Sequence, residues 1–245
     1  MNTLNVLWTG GLDSTYLVVK LATTTTAVIQ PYYVLDEGRK SVPFELRAIE
    51  NILRILKADN NVTAELKDII IIKKSSLAQD YTITEAWKRL NKVYALGSQY
   101  DFLARMAKQY NLQLAVGVLF SDRDSRVVRA IEDNSELTEE YIGEVPFLTV
   151  ENEEINDIIT IFENILFPSF MRDIEKTDEW KELCDMGYSN IANMTWFCHT
   201  PAFGKPCGHC NPCKDALAEG MAFRVPMRGR ILHYVQKIKD EISIL

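Results

Sequence analysis

The sequence of 245 residues lacks both a long hydrophobic run and an amino-terminal targeting segment. Its longest apolar stretch, around the isoleucines at 69–72, is far shorter than the roughly 20 residues that a membrane-spanning helix needs. The amino terminus leads directly into a strand-like pattern, without the basic segment and apolar core of a signal peptide. We therefore expect a cytoplasmic protein without a membrane partner.

Basic residues are too few for a general nucleic-acid-binding surface. The chain has 27 lysines and arginines against 34 aspartates and glutamates, a formal net charge of -7. Proteins that bind nucleic acids normally present a basic face. Direct nucleic-acid binding is therefore disfavoured, while a hydrophobic share of 47% is enough for a sizeable core.

Two familiar phosphate-binding motifs are also absent. The sequence contains no Walker-type G-x-x-x-x-G-K-[ST] and no G-x-G-x-x-G after a predicted strand. These absences exclude a Walker-type nucleotide site and a dinucleotide fingerprint.

The chain instead shows predicted strands alternating with helices. Strands are predicted near 4–8, 27–35, 69–72 and 112–120, and helices near 14–22, 43–57, 98–110, 151–165, 213–223 and 229–243. This alternation predicts an α/β fold, a Rossmann-like parallel sheet with helices on both faces. Pro31 indicates that the second strand is an edge strand or carries a bulge. Residues 134–146 are predicted to form a loop or a partner contact.

Residues 9–15, TGGLDST, lie between the first predicted strand and the first predicted helix. A glycine-rich turn at this position surrounds a concavity with backbone N–H groups, and the helix amino terminus adds partial positive charge. Gly10 and Gly11 permit a close backbone approach, while the hydroxyls of Thr9, Ser14 and Thr15 can donate to phosphate oxygens. The pattern favours a phosphate site over a simple tight turn.

Asp13 is unexpected in such a turn, because a carboxylate repels phosphates unless a cation lies between them. It either caps the helix or orients the loop, or it binds Mg²⁺ beside the phosphates.

Four of the five cysteines follow the pattern C-x(8)-C-x(2)-C-x(2)-C, namely Cys198, Cys207, Cys210 and Cys213. Pairs separated by two residues suit a turn in which both sulfurs reach one tetrahedral ion. The pattern predicts a structural zinc site, with an iron–sulfur cluster as the alternative. Cys184 stands apart as a core or surface thiol. His199 and His209 lie inside the cluster as alternative ligands or as polar loop residues.

The two motifs together resemble those of 7-cyano-7-deazaguanine synthases, a family of PP-loop ATP pyrophosphatases. TGGLDS is similar to the family signature SGGxDS, with Thr9 in place of the first serine. TWFCHTPAFGKPCGHCNPC matches the pattern TW-x-C-x(8)-C-x(2)-C-x(2)-C. Looser similarity, in DEGRKSVPFELRAIENI and GSQYDFLARMAKQYNLQLAVGV, extends the resemblance from residue 4 to about residue 223.

The resemblance implies a PP-loop fold and an ATP-dependent carbon–nitrogen ligase that releases AMP and pyrophosphate. The implied substrate is 7-carboxy-7-deazaguanine: adenylation of its carboxylate and attack by ammonia give an amide, and a second adenylation gives the nitrile precursor of queuosine. ATP, Mg²⁺ and Zn²⁺ are the implied cofactors, and a homodimer is the implied assembly.

The resemblance also assigns residues to these roles. Asp13 and Ser14 become the catalytic residues, and the four cysteines become the zinc ligands. The nucleotide is assigned to Trp8, Thr9, Gly10, Gly11, Leu12, Asp13, Ser14 and Thr15. Residues 1–185 then form the ATP-binding α/β domain, and residues 186–245 form a zinc-binding segment with carboxyl-terminal helices packed on that domain.

The expected substrate pocket departs from the family pattern. An aromatic residue of the family is Glu37 here, and the family's long loop after the Gly-Val strand is replaced by LFSDRDSRVV. We place the substrate against Asp36, Gln99, Asp122 and Asp124. The last two can accept hydrogen bonds from a guanine edge, or they lie in a solvated loop.

The two motifs resemble those of the family while the expected substrate pocket differs. The sequence therefore does not identify the nucleophile that attacks the activated carboxylate. Ammonia gives ordinary nitrile synthesis, whereas a protein amine gives conjugation of the deazapurine to a protein, the activity ascribed to relatives in bacterial antiviral operons. A different PP-loop amidation or thiolation is a further alternative, although thiolation normally needs a catalytic cysteine pair and only Cys184 lies outside the cluster. A non-enzymatic nucleotide-binding or zinc scaffold is the remaining alternative.

Overall fold

The computed structural model describes residues 3–121 and 125–242. Its strands are β1 (Thr3–Leu7), β2 (Val28–Leu35), β3 (Glu65–Leu66), β4 (Ile70–Lys73), β5 (Leu114–Ala115), β6 (Glu136–Ile142), β7 (Val145–Glu151) and β8 (Ile165–Pro168). Its helices are α1 (Leu12–Thr24), α2 (Val42–Lys57), α3 (Tyr81–Tyr94), α4 (Gln99–Tyr110), α5 (Arg126–Glu132), α6 (Asp157–Phe162), α7 (Lys176–Asp185), α8 (Ser189–Met194), α9 (Asn211–Ala218) and α10 (Met227–Ile242). Single 3₁₀ turns lie at Lys74–Ser76, Ser169–Met171 and Ala222–Arg224.

The strands form one sheet in the order β3-β2-β1-β5-β8-β7-β6, and β4 pairs with β2 beyond the end of β3. The pairs of β1 with β2 and β5, of β2 with β3 and β4, and of β5 with β8 are parallel. The pairs β8–β7 and β7–β6 are antiparallel. The predicted α/β fold with a mostly parallel sheet is confirmed.

Helices cover both faces of this sheet. On one face, α1 and α2 pack with α7 and α8 against the side chains of Leu4, Val6 and Ile29. On the other face, α3, α4, α5 and α6 pack against Leu7, Tyr32 and Val34. Because side chains alternate along a strand, neighbouring residues of β1 and β2 serve different cores.

The order in which the chain adds strands to the sheet reverses at β1. It passes from β1 to β2 on one side and later returns to β5 on the other side of β1. In open α/β sheets, the connections that leave the carboxyl ends of two such strands diverge, and the crevice between them binds ligands. The turn at residues 8–11 follows β1 and Gly117 follows β5, so the first motif lies at this crevice.

Pro31 lies in an interior strand, so the edge-strand expectation is wrong. Ile29 O accepts from Lys67 N, and Tyr32 O accepts from Trp8 N on the opposite side. Pro31 therefore faces the side of β3 and β4, and it does so where the pairing passes from β3 to β4. A missing N–H costs least at such an interruption.

The region from 134 to 168 differs most from the sequence-based expectation. The predicted loop at 134–146 is a β-hairpin in which β6 pairs with β7 over seven residue pairs. The predicted helix at 151–165 is the end of β7, the short α6 and the start of β8. Gly143, with φ +65°, occupies the tight hairpin turn.

Helices α3 and α7 were not predicted, yet each carries an amino-terminal signal. Asp80 caps α3 by accepting from Ile83 N at 3.2 Å, and Glu175 and Asp178 form a capping box at α7. Ser98 occupies the amino-terminal cap position of α4, but its side chain makes no cap hydrogen bond.

The segment after residue 185 shares a core with the segment before it. Ile191, Ala216 and Val225 belong to the same buried cluster as β1 and α1. In the part of the chain that the structure describes, no helix is both long enough and apolar enough for a bilayer.

Candidate nucleotide and metal site

The turn after β1 brings the backbone of Gly10 against α2. Gly10 has φ +75°, and a Cβ at this position would lie 2.8 Å from Glu45 O. Both the left-handed conformation and the close approach require glycine. Gly11 follows in an extended conformation as the cap residue of α1.

The hydroxyls of Thr9 and Ser14 lie together at this turn. Their oxygens are 3.0 Å apart, and Ser14 Oγ also accepts from Thr9 N at 3.2 Å. By contrast, Trp8 and Thr15 are both 0% exposed, and Trp8 Nε1 donates to Thr15 Oγ1 at 3.0 Å. The hydrogen bond between the buried side chains of Trp8 and Thr15 therefore supports the turn from the protein interior.

The first turn of α1 leaves N–H groups that the helix itself does not use. Gly11 has no side chain with which to cap them. The helix dipole places partial positive charge at the same point. The backbone N–H groups of Leu12, Asp13 and Ser14 therefore lie at a point where an anion could be received, and phosphate binding by this turn stays a prediction.

A cavity of about 560 Å³ opens on this turn. Thr9, Gly11, Leu12 and Asp13 line one side of it. Gly117, which follows β5, lies against the same turn, because an added Cβ would lie 2.9 Å from Asp13 O. The crevice expected at the reversal of the sheet order is therefore an open pocket.

Two predicted substrate residues, Asp36 and Gln99, line this cavity. The Asp36 carboxylate accepts from Lys74 Nζ at 2.9 Å, and that hydrogen bond lowers the pKa of Asp36. The structure thus brings both residues to the cavity that the turn at residues 9–13 also lines. Asp122 and Asp124, the other two predicted substrate residues, lie outside the described residues.

An arginine from the loop after β2 also reaches the cavity. Arg39 donates to Glu45 at 2.8 Å, and the other oxygen of Glu45 accepts from the Tyr33 hydroxyl at 2.5 Å. Glu45 is buried. This chain of bonds fixes the guanidinium at the cavity wall.

Lys176, at the start of α7, lies between two carboxylates. Its Nζ is 3.6 Å from Asp13 Oδ1 and 3.6 Å from Glu219 Oε2. The Asp13 carboxylate raises the pKa of Lys176, so the ammonium stays charged. One turn further along α7, the carboxyl group of Glu179 is fully buried.

Arg224 is the third positively charged side chain that lines the cavity, after Arg39 and Lys176. It donates to the carbonyl and hydroxyl oxygens of Thr195 at 2.9 and 2.6 Å. Its guanidinium also lies 4.6 Å from the ring centroid of Phe197. Burial lowers the pKa of Arg224 to about 10, which still leaves it protonated at neutral pH.

The four cysteines of the second motif converge. Their sulfurs all lie within 4.8 Å of one another, and Cys198, Cys207 and Cys213 are buried. Cys207 and Cys213 sulfurs are 3.9 Å apart, and Cys210 and Cys198 sulfurs are 3.8 Å apart. A tetrahedral zinc with Zn–S bonds of about 2.3 Å places its sulfurs about 3.8 Å apart. The donor set fits a metal ion such as zinc.

Backbone N–H groups surround these sulfurs. Cys198 Sγ accepts from Cys207 N at 3.2 Å. Cys207 Sγ accepts from the N–H groups of His209 and Cys210, each at 3.4 Å. Such bonds stabilise thiolates, so the turns are built for ionised sulfur.

The thiols compete for ionisation when no cation is near. Hydrogen bonds with Cys198 and Cys213 lower the pKa of the Cys210 thiol. Hydrogen bonds with Cys198 and Cys210 raise the pKa of the Cys213 thiol. A bound dication removes this conflict, because it favours the thiolate form at every ligand.

Neither histidine of the motif joins the cysteine group among the described residues. His209 Nδ1 lies 3.4 Å from Cys207 O, and His199 lines the cavity instead. Cys184 lies half-buried on α7, outside the group. Four thiolates close a tetrahedral shell, which is typical of a structural site.

The two motifs are in direct contact. Trp196 N donates to Gly10 O at 2.7 Å, and Trp196 Nε1 donates to Cys198 O at 2.7 Å. The indole also stacks on Phe44 with ring centroids 4.4 Å apart. Trp196 therefore connects the turn after β1 to the first cysteine and to α2.

Gly208, inside the cysteine turn, offers a test of the metal segment. It has φ +84°, and an added Cβ would lie 2.0 Å from Gly229 O. Because the obstructing atom is backbone in α10, Gly208→Ala is expected to lower stability by about 3 kcal/mol or more and to release the metal. Thermal unfolding and bound-zinc content measure both effects.

Gly204→Ala is the matched control. Gly204 also has a positive φ, +73°, but nothing lies within 4 Å of an added Cβ. This substitution is expected to cost about 1 kcal/mol from backbone strain alone and to keep the metal. Equal effects of the two substitutions would contradict the packing of α10 on the cysteine turn.

Comparison with known proteins adds no family assignment. The sequence matches no protein-family model and no curated protein. Membership of the 7-cyano-7-deazaguanine synthase family, which we inferred from the two motifs, thus stays a prediction.

The sequence interpretation missed three residues that line the cavity, Lys176, Glu219 and Arg224, and also the buried Glu179 on α7. The capping-box pattern at 175–178 signals the start of α7, but it does not show that this helix packs against α1. Arg224 follows the cysteine motif closely in the chain, yet only its contacts with Thr195 and Phe197 place it at the cavity.

Proposed function

We propose that this protein is an AMP-forming, ATP-dependent ligase of the PP-loop type that activates the carboxylate of 7-carboxy-7-deazaguanine. One observation carries the proposal: the turn at residues 9–14 and the segment before the cysteines line one cavity and are joined by the bond from Trp196 N to Gly10 O. The two motifs, whose combination resembles that of the synthase family, thus border the same cavity.

The proposed chemistry is leaving-group activation. A substrate carboxylate oxygen attacks the α-phosphorus of ATP, the bond to the β-phosphate oxygen breaks, and pyrophosphate leaves. A nitrogen nucleophile then displaces AMP from the acyl carbon. Carboxylates are poor electrophiles at neutral pH, so the protein contributes by positioning the partners and neutralising charge.

Residues of the cavity fit these tasks. The N–H groups of residues 11–14 and the hydroxyls of Thr9 and Ser14 would hold the outer phosphates. Lys176 and Arg224 supply positive charge on the same wall, and Mg²⁺ would bind beside Asp13. Asp36 and Gln99 would contact the deazapurine. The cysteine group would hold zinc in a structural role.

The decisive assay supplies ATP, Mg²⁺ and 7-carboxy-7-deazaguanine, with and without ammonia. We expect AMP and pyrophosphate in stoichiometric amounts, and a product mass that corresponds to the amide or nitrile when ammonia is present. A deazapurine adduct on a protein amine in the ammonia-free reaction would instead indicate conjugation. Absence of AMP above background, with the metal bound, would reject the proposed function.

A further inference from the structure

Strand β6 forms one end of the sheet and has an unpaired outer side. It pairs with β7, and no other strand of the described residues lies beside it. Tyr141 is opposite Pro146, which has no N–H, so these two residues form a non-hydrogen-bonded pair. The backbone N–H and C=O groups that face outward therefore belong to every second residue of β6, namely Leu137, Glu139 and Tyr141.

The segment of the chain around β6 is strongly acidic. Eleven of the 34 aspartates and glutamates lie between Arg129 and Arg172, and no lysine, arginine or histidine does. Because this number exceeds the net charge of -7, the segment accounts for the whole negative balance of the chain. In the part of the chain that the structure describes, its one ion pair joins Asp157 to Arg89. The other carboxylates of the segment are left without a cation.

These carboxylates lie on both faces of the unpaired edge. Glu139 and Glu140 are exposed, and neighbouring residues of a strand point to opposite faces. A cleft of about 950 Å³ opens where β6 begins. Its acidic lining residues are Glu132, Asp133, Glu136, Glu151, Glu153 and Glu154. Negative charge thus continues from the edge of the sheet into the cleft.

Tyr141 adds an aromatic surface near the hairpin turn. Its side chain is 66% exposed, and it shares a face of β6 with Glu139, two residues away. An aromatic ring beside a carboxylate suits a lysine or arginine, because the ring contacts the aliphatic stem and attracts the charged head.

We propose that the outer edge of β6 binds an extended, lysine- or arginine-rich segment of a partner protein, which adds a strand to the sheet. The outward backbone groups of Leu137, Glu139 and Tyr141 would pair with the added strand, as in other proteins that bind peptides at a sheet edge. Because Glu139 and Glu140 serve opposite faces, the segment carries basic residues at adjacent positions. This inference goes beyond the proposed function and does not depend on it.

The same charges disfavour a second copy of this chain as the occupant. Two β6 strands that paired edge to edge would bring Glu136, Glu139 and Glu140 of one copy close to the same residues of the other. Like charges across a strand pair are destabilising, and charged edge strands commonly prevent such self-pairing. A basic segment reverses the sign of this interaction.

The test measures peptide binding to the zinc-loaded protein by fluorescence anisotropy. The probe is a labelled peptide of about ten residues of lysine, arginine, valine and threonine, with basic residues at adjacent positions. A second peptide of the same sequence carries N-methyl groups on its central residues, which keeps the charge and removes backbone donors. We expect the methylated peptide to bind about 10- to 100-fold more weakly, and a peptide with glutamate at the basic positions not to bind.

Two substitutions at Glu139 separate charge from backbone pairing. Both Glu139→Gln and Glu139→Pro remove the carboxylate, but proline also removes the outward N–H. An edge strand tolerates proline where its N–H faces solvent. We expect glutamine to weaken binding about 3-fold and proline about 10-fold more. Glu50→Gln, at an exposed position on α2, is the control and is expected to bind as the wild type does.

Zinc content and the midpoint of thermal unfolding verify that each variant is folded. If the proline variant does not fold, the methylated peptide and Glu139→Gln still decide the outcome. Equal binding of the methylated and unmethylated peptides, or no binding of either, overturns strand addition. A wild-type dimer that Glu139→Pro dissociates, measured by sedimentation, would assign the edge to a second copy and overturn the proposal. None of these measurements uses ATP or an acid substrate, so they stand whatever the AMP assay yields.

Discussion

Replacing Cys213 with serine is expected to abolish ATP binding as well as metal binding. Cys213 is buried in the cysteine group, and loss of one ligand opens the tetrahedral shell. The segment around Cys198 then loses its anchor, and with it Trp196, whose N–H holds Gly10 O. We expect zinc content to fall from about one per chain to near zero and the midpoint of thermal unfolding to fall by about 10 °C or more.

Cys184→Ser is the control for this experiment. Cys184 is half-buried on α7 and lies outside the cysteine group. The Cys184→Ser variant should keep its zinc and its affinity for a non-hydrolysable ATP analogue, measured by calorimetry. If Cys213→Ser loses zinc but binds the analogue as the wild type does, the contact between the two motifs has no functional consequence.

Gly10→Ala is expected to produce the second large effect, on the proposed nucleotide site. The added Cβ would lie 2.8 Å from Glu45 O in a residue with φ +75°, so the turn must move away from α2. A displacement of about 1 Å at a site that positions phosphates costs on the order of 100-fold in rate. AMP formation should fall by that factor or more, while the cysteine group keeps its metal.

The matched substitution for this glycine is Gly187→Ala, after α7. Gly187 has φ +87° with nothing within 4 Å of an added Cβ, so it reproduces the backbone strain of about 1 kcal/mol without touching the turn. Its AMP formation should equal that of the wild type at a temperature where both proteins are folded. Equal losses in both variants would show that stability alone, rather than the shape of the turn, controls activity.

Local patterns predicted the parts of the site that are encoded within short segments. Gly10 and Gly11 between a strand and a helix predicted the turn after β1. The spacing of Cys207, Cys210 and Cys213 predicted their convergence, because two intervening residues allow little other geometry. In both cases the chain itself limits the possible arrangements.

The contacts between distant segments could not be predicted in this way. Lys176 and Glu179 meet Asp13 only because α7 packs on α1, and no local spacing specifies that packing. The tertiary environment also decided the strands at 136–168. The short β8 pairs with β5 on one side and with β7 of the β6–β7 hairpin on the other, and these long-range pairings are not specified by local sequence.

Pro31 illustrates a partial success. The edge strand that it favoured is wrong, but Pro31 does lie where the pairing of β2 passes from β3 to β4. The position of β2 within the sheet depended on the placement of β3 and β4, which are too short and too far along the chain to be ordered by pattern alone.

The most direct test of the account is a crystal structure of the zinc-loaded protein with a non-hydrolysable ATP analogue and Mg²⁺. We expect the outer phosphates to contact the backbone N–H groups of residues 11–14, inside the cavity that Asp36 and Gln99 also line. A triphosphate bound elsewhere, with this turn unoccupied and the cysteine metal in place, would contradict the account.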